Sequence, residues 1–324
     1  MSANFPYLSS FPRSRSIPAA FKATVPAPID RIRRLIWKIT LAALALMAVG
    51  SATRVMNAGL ACPDWPLCYG QLIPQQQMNL QVFLEWFHRL DAGLIGLSTL
   101  WLVGLSWWYR PQLPAWLPWA TTATFLLIGV QAGLGGLTVT QLLRFDIVTA
   151  HLGVALLFFS ALLIMGTLLL PYQSTGTVGR LPWLGLLALL VVYSQCLLGG
   201  VVGSRWAAHQ CFGLKELCQV MHSHLAGVLP VCLAVLGLTL TVWRTPALTY
   251  PLRQLGNLAS TILVLQVVMG IATLQLRLQV EPLTVIHHSL GAALLGTLVC
   301  FTVLAYRDAL GTTSVPIAPS PSES

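Results

Sequence analysis

Eight stretches of this chain are apolar over twenty or more residues: about 36–56, 82–109, 116–140, 147–170, 183–203, 220–243, 256–276 and 283–306. About 20 apolar residues cross a bilayer. In hydrocarbon every backbone polar group must find its partner inside the protein, so such a run can only be a helix. Charged residues make up 8% of the 324, against roughly 25% in a soluble domain. The expected fold class is therefore an all-α integral membrane protein with eight transmembrane helices. Short polar loops separate the spans, among them RPQLP at 110–114, PYQSTGTVGR at 171–180 and RTPALTYPLRQ at 244–254.

A net charge of +9 would suit nucleic acid, but its placement argues for membrane lipid instead. With the N-terminus in the cytoplasm, Arg13, Arg15, Lys22, Arg31, Arg33, Arg34, Lys38, Arg110, Arg180, Arg244, Arg253 and Arg307 all fall inside, twelve of the eighteen basic residues. That asymmetry is the positive-inside rule, and it places both termini in the cytoplasm. Residues 1–35 read as a disordered basic tail. They do not read as a targeting peptide, because a long apolar run follows with no small-residue cleavage site. Residues 307–324 read as a second disordered cytoplasmic tail.

The chain also repeats itself. GSATRVMNAGLAC, Gly50 to Cys62, aligns with GGVVGSRWAAHQC, Gly199 to Cys211, each reaching a cysteine twelve residues on. EWFHRLDAG at 85–93 aligns with QVMHSHLAG at 219–227, setting His88 over His222 and Glu85 over Gln219. Gln131 lies 20 residues before His151, and Gln266 lies 21 before His287. Each half has an even number of helices, so the halves share an orientation and are related by an axis along the membrane normal. The expectation is two pseudo-symmetric four-helix bundles, 36–170 and 171–306.

His88, His151, His222 and either His287 or His288 open helices 2, 4, 6 and 8, at one depth near the outer face. A single membrane histidine usually serves helix packing. Two per half, on alternate helices, is the layout of bis-histidine heme ligation. No Cys-x-x-Cys-His is present, which excludes covalently attached heme. His222 and His224 are about 200° apart around a helix, and the repeat register selects His222. His287 is favoured over His288, which stands as the alternative. Cys62 and Cys68, and Cys211 and Cys218, pair in two outer loops where disulfides persist, as structural staples or as reversible redox pairs. A charge at mid-bilayer costs about 2.5–3.5 kcal/mol or more, so Glu85 and Arg89 in EWFHRL need a reason.

GLACPDWPLCYG after helix 1, EWFHR in helix 2, a histidine opening helix 4, QVMH in helix 6 and His-His in helix 8 resemble the heme A synthase family over residues 35–306. The likeness is to bacterial members with two outer-loop cysteine pairs. It implies a membrane-bound oxidoreductase that converts a methyl of heme O to formyl by successive hydroxylations. It implies that Glu85, His88, Arg89 and His151 hold the heme O substrate in the N-terminal half. His222 and His287 (or His288) would hold a resident heme b in the C-terminal half. Glu85 is the expected catalytic carboxylate, and Arg89 and Arg54 are expected beside heme propionates. The expected partners are a heme O synthase and an electron acceptor, the expected place the bacterial cell membrane; a homo-oligomer stays open. The alternative is a di-heme b-type cytochrome that only transfers electrons, which leaves Glu85 without a purpose.

Overall fold

The computed structural model describes residues 27–203, 218–276 and 279–311. They form eight helices: α1 (Ala27–Val55), α2 (Leu80–Trp108), α3 (Trp116–Thr140), α4 (Phe145–Leu168), α5 (Leu181–Val202), α6 (Cys218–Arg244), α7 (Tyr250–Gln275) and α8 (Glu281–Ala309). All eight are long and apolar enough to cross a membrane, and among the described residues there is no strand beyond one isolated bridge between Cys68 and Gln71. The protein is a multi-pass membrane protein with eight spans.

Local chemistry sets several boundaries. The Asn79 side chain accepts the Val82 N–H at 2.9 Å and caps α2, satisfying one of the donors that a helix start leaves free. Pro182, Pro251 and Pro282 stand in the first turns of α5, α7 and α8, where a missing N–H costs nothing. α1 begins nine residues before the expected span, so residues 27–35 are helix and not tail. Asp30 pairs with Arg33 and Arg34 one turn on. Ile29, Ile32, Ile36 and Ile39 form a buried face in one cluster with Leu162 and Leu169. That spacing is the apolar stripe of a helix packed on a neighbour. α8 likewise runs past the expected boundary, to Ala309.

Each half closes into a ring. α1 packs on α2, α2 on α3, α3 on α4 and α4 back on α1, and α5 to α8 repeat the order. The halves meet where α4 packs on α8, α1 on α8 and α5 on α4, as a two-fold axis between α4 and α8 requires. Small residues let these helices approach, which is how membrane helices gain packing without a hydrophobic driving force. A methyl group at Gly296 of α8 would lie 2.9 Å from the Phe159 ring of α4.

One end of the bundle carries the start of α1, the end of α8 and the α4–α5 connection, and a polar cluster that the sequence reading missed holds it together. Asp308 of α8 is fully buried. It accepts from the Tyr172 hydroxyl at 2.6 Å and the Gly176 N–H at 2.8 Å. Arg307 donates to the carbonyls of Thr167 and Leu170 at 2.9 and 3.0 Å, at and just beyond the end of α4, where a helix leaves carbonyls short of partners. Asp308→Ala would remove the carboxylate that the Tyr172 hydroxyl and the Gly176 N–H share, and a hydrogen bond to a charged group is worth about 1.5–3 kcal/mol. The expected result is a clearly lowered unfolding midpoint in detergent, with Tyr172→Phe costing about 1 kcal/mol. An unchanged midpoint for both variants contradicts this account of the cluster.

Candidate functional site

Four imidazoles dock in the same way at the opposite end of the bundle. His88 is the ninth residue of α2, and His151, His224 and His287 are the seventh of α4, α6 and α8. Each lies against a glycine on the preceding helix. A methyl at Gly50 would sit 2.8 Å from Cε1 of His88, at Gly135 3.3 Å from His151, at Gly199 3.0 Å from His224 and at Gly270 2.9 Å from His287. A side chain at Gly50 or Gly270 would displace the ring, and one at Gly135 or Gly199 would crowd it. Each ring also faces the backbone carbonyl four residues before its glycine, that of Leu46, Gln131, Gln195 or Gln266. Full hydrogen-bond geometry is met at His287, whose Nδ1 is 3.1 Å from the Gln266 carbonyl. Nδ1 of His88 and of His151 are buried without a bonded partner. An Nδ1–H turned to a carbonyl leaves Nε2 as the metal-binding nitrogen.

In the second half the rings of His224 and His287 are 6.5 Å apart between centroids, with planes at 85°. A metal–imidazole bond takes about 2 Å, so that separation accommodates one ion between two rings. His288 is engaged elsewhere: its Nδ1 bonds Ser51 Oγ of α1 at 2.7 Å. His222, expected as the α6 ligand, is exposed on the outside of that helix, about 200° from His224. The structure thus brings His224 and His287 together and leaves His222 out. A sequence signal for this existed: His88 and His151 recur 136 residues later as His224 and His287. Aligning the Glu-x-x-His and Gln-x-x-His runs hid it by two residues.

In the first half His88 and His151 are close enough to interact electrostatically, and a folded loop sits beside them. Cys62 and Cys68 form a disulfide. Arg89 reaches up from α2 into the loop they close, donating to the carbonyls of Asp64 and Leu67 at 2.6 Å each. Glu85 is 4% exposed; it pairs with Arg89 and accepts the Cys62 N–H at 2.8 Å. Trp65, at the loop tip, lies 3.2 Å from where a methyl on Gly136 of α3 would project, next to the glycine that cradles His151. Asp64 ties the loop by accepting the N–H groups of Tyr69 and Gly70 at 2.6 and 2.7 Å. In the register set by the docked histidines, Glu85 and Arg89 correspond to Met221 and Leu225, so the second half lacks both charges.

Arg54 is not free beside either site. It crosses from α1 to α5 and donates to the Gly200 carbonyl at 3.3 Å, at a helix end where a cation is favoured. Cys211 and the Cys218 side chain lie outside the described residues, as does His209. Cys196, Cys232 and Cys300 are free thiols within spans. Among the described residues no three His, Cys, Asp or Glu side chains converge. The donor set offered is a pair of imidazoles per half, which suits the two axial positions of a heme iron.

Residues 33–299 match the model of the COX15-CtaA family, cytochrome oxidase assembly proteins. The chain is 29% identical to a heme A synthase of Shewanella oneidensis, over 87% of this chain and 100% of that one. It is 28% identical to a heme A synthase of Rhodospirillum centenum, over 82% and 86%. It is 25% identical to one of Shouchella clausii, over 84% and 96%.

The loop carries a pH dependence. The Gly70 N–H, then the Tyr69 N–H and the charge of Arg89, hold the Asp64 carboxyl below the ordinary carboxylate range, outweighing its partial desolvation. A depressed carboxyl stabilises above its unfolded value, about 3.9, and that contribution is lost as pH falls through the folded value. Amide exchange at Tyr69 and Gly70 should stay protected from neutral pH to about pH 4 and lose protection below. In Asp64→Ala protection should be low throughout. Equal protection in the wild type at pH 3 and pH 7 contradicts this.

Proposed function

The chain belongs to the COX15-CtaA family of cytochrome oxidase assembly proteins, and from that premise we propose that it is a heme A synthase, a membrane oxidoreductase that turns a methyl of heme O into a formyl group. The observation that carries the reading is the opposed pair His224 and His287, repeated 136 residues earlier as His88 and His151. At the earlier pair Glu85 stands one turn before His88 and Arg89 directly after it, where the later pair has Met221 and Leu225.

His224 and His287 hold a resident heme b, which when bound supplies reversible one-electron chemistry. His287 is taken as the α8 ligand because its ring faces that of His224, while His288 is bonded through Nδ1 to Ser51 of α1. His88 and His151 hold the heme O substrate, and the division of the chain into a substrate half (36–170) and a heme b half (171–306) follows. Glu85 is the catalytic carboxylate. It lies on the His88 face of α2, buried and fixed by Arg89 and Cys62, so it meets developing positive charge at the substrate carbon without first having to reorganise. Two hydroxylations at that carbon, then loss of water, give the formyl group. Arg89 acts through the Cys62–Cys68 loop that it anchors, with Trp65 covering the His151 side and excluding bulk water. Arg54 joins the halves.

The docked histidines lie on the outer side of the bacterial cell membrane, and both termini are cytoplasmic. A heme O synthase delivers substrate and a separate acceptor removes electrons. The relatives support this reading over the di-heme electron-transfer cytochrome, which gives no reason for Glu85 and Arg89 opposite Met221 and Leu225.

His224→Ala should abolish the bis-imidazole absorption of the b heme, while His222→Ala should leave it intact; the reverse outcome overturns the assignment. Glu85→Ala should retain both hemes yet lower formyl formation about a hundredfold or more. Normal turnover in that variant removes Glu85 from the chemistry.

A further inference from the structure

Both halves pin their second and third helices together by the same bond, at the end of the bundle away from the docked histidines. Trp107 Nε1 of α2 donates to Thr122 Oγ1 of α3 at 3.0 Å, and Trp243 Nε1 of α6 donates to Asn257 Oδ1 of α7 at 2.8 Å, 136 and 135 residues on. From there toward the histidines the halves diverge. Gly93 and Gly96 stand about four and three turns before Trp107, and Gly129 and Gly133 about two and three turns after Thr122. All four therefore lie on the sides where α2 and α3 face each other. A methyl group at any of them would meet nothing within 4 Å. In the same register the second half has Leu229, Cys232, Val264 and Val268, and Cys232 packs against its buried core.

Glycines on membrane helices ordinarily let a neighbour come close. Gly166, Gly256 and Gly296 do so here: a methyl at each would lie 3.1, 3.1 and 2.9 Å from Trp37, Val242 and Phe159. The four glycines between α2 and α3 serve no such packing. They leave an apolar gap, pinned at one end by Trp107 and covered at the other by Trp65, which lies against Gly136. The gap begins at the first histidine pair. Gly93 follows His88 by five residues, and Gly133 precedes Gly135, the cradle of His151, by two. Gly93, Gly129 and Gly133 are exposed, so the gap also opens to lipid. From Gly93 to Trp107 the helix runs about 20 Å, room for a chain of several isoprene units. The two hemes differ in the corresponding way, since heme O carries a long isoprenoid chain where heme B carries a vinyl group. We infer that the gap between α2 and α3 seats the isoprenoid tail of heme O, and that Leu229, Cys232, Val264 and Val268 close the equivalent path in the half that holds a heme without a tail. This rests on the assignment of the sites above. Lipid is as apolar as the gap, so the tail gains little energy there. What the gap supplies is selection, because a site whose gap is filled has no way out for a tail.

The test uses the full chain, purified after expression with a heme O synthase, with the hemes extracted and quantified by chromatography. Heme O and heme A report the first site, and heme B reports the second. Gly129→Val combined with Gly133→Val, and separately Gly93→Leu, put into the first half the residues that the second half already carries. Each side chain enters open space and replaces glycine by a better helix former, so the variants fold. Filling the gap should lower heme O plus heme A per chain about tenfold or more, with heme B and its bis-imidazole absorption unchanged. Wild-type amounts of heme O and heme A in these variants overturn the inference, leave lipid as the occupant of the gap, and leave the site assignment standing. An equal loss of heme B overturns it as well, because the effect is then not confined to the heme that has a tail. A wild-type protein that carries no heme O or heme A overturns the assignment, and the inference with it.

Discussion

An imidazole inside a bilayer has to be packed against something that admits its ring, and here each docked ring lies on a helix backbone at a glycine, with the Gln266 carbonyl bonded to His287. Gly50, Gly135, Gly199 and Gly270 each remove the one side chain that would keep a histidine ring off the neighbouring helix. The arrangement of the spans follows from this. Odd helices present the glycine and the carbonyl, even helices present the ring, and each half must bring both of its pairs to the same depth. The ring order α1–α4 and its repeat in α5–α8 achieve that, and the shared axis sets α8 against α1 and α4 at the centre. Packing then serves the docked pairs, because small residues at the seam let the helices come close enough.

The two ends of the bundle are closed by polar clusters of opposite construction. At one end, Asp308 gathers the donors of the α4–α5 connection and Arg307 caps α4. This cluster is structural and buried, far along α8 from His287. At the other, Arg89 gathers carbonyls of a disulfide loop, with Glu85 fixed beneath it. That second cluster sits one turn from a docked histidine and has apolar residues as its counterpart in the other half. The pair holds the disulfide loop beside the first docked histidines, and the positions that correspond to it in the second half are Met221 and Leu225.

Much of this was legible in residue order. Eight apolar runs fixed the number of helices, and the Cys62–Cys68 spacing anticipated the disulfide. The starts of α1 and α8's far end were misplaced because charge marked them as tail. Asp30 pairs with Arg33 and Arg34, and Asp308 with loop donors, and such pairing lets charged residues stay helical beyond an apolar run. The choice of His222 failed for a different reason. The runs Glu85-x-x-His88 and Gln219-x-x-His222 look alike, but likeness of neighbours does not determine which face of α6 turns inward. Gly199 determines it, and the constant 136-residue offset carried that information. Between His287 and His288, the structure sets the ring of His287 against His224 and turns Nδ1 of His288 to Ser51 of α1, contacts with other helices that cannot be read locally.

The central claim is that one half holds a substrate heme and the other a resident one. The most direct measurement is to extract the hemes from the protein, purified after expression with a heme O synthase, and identify them by chromatography and mass. The account predicts heme B together with heme A or its hydroxylated precursor. Heme B alone, at two per chain, would contradict it and leave Glu85 as the anchor of a loop in an electron-transfer cytochrome.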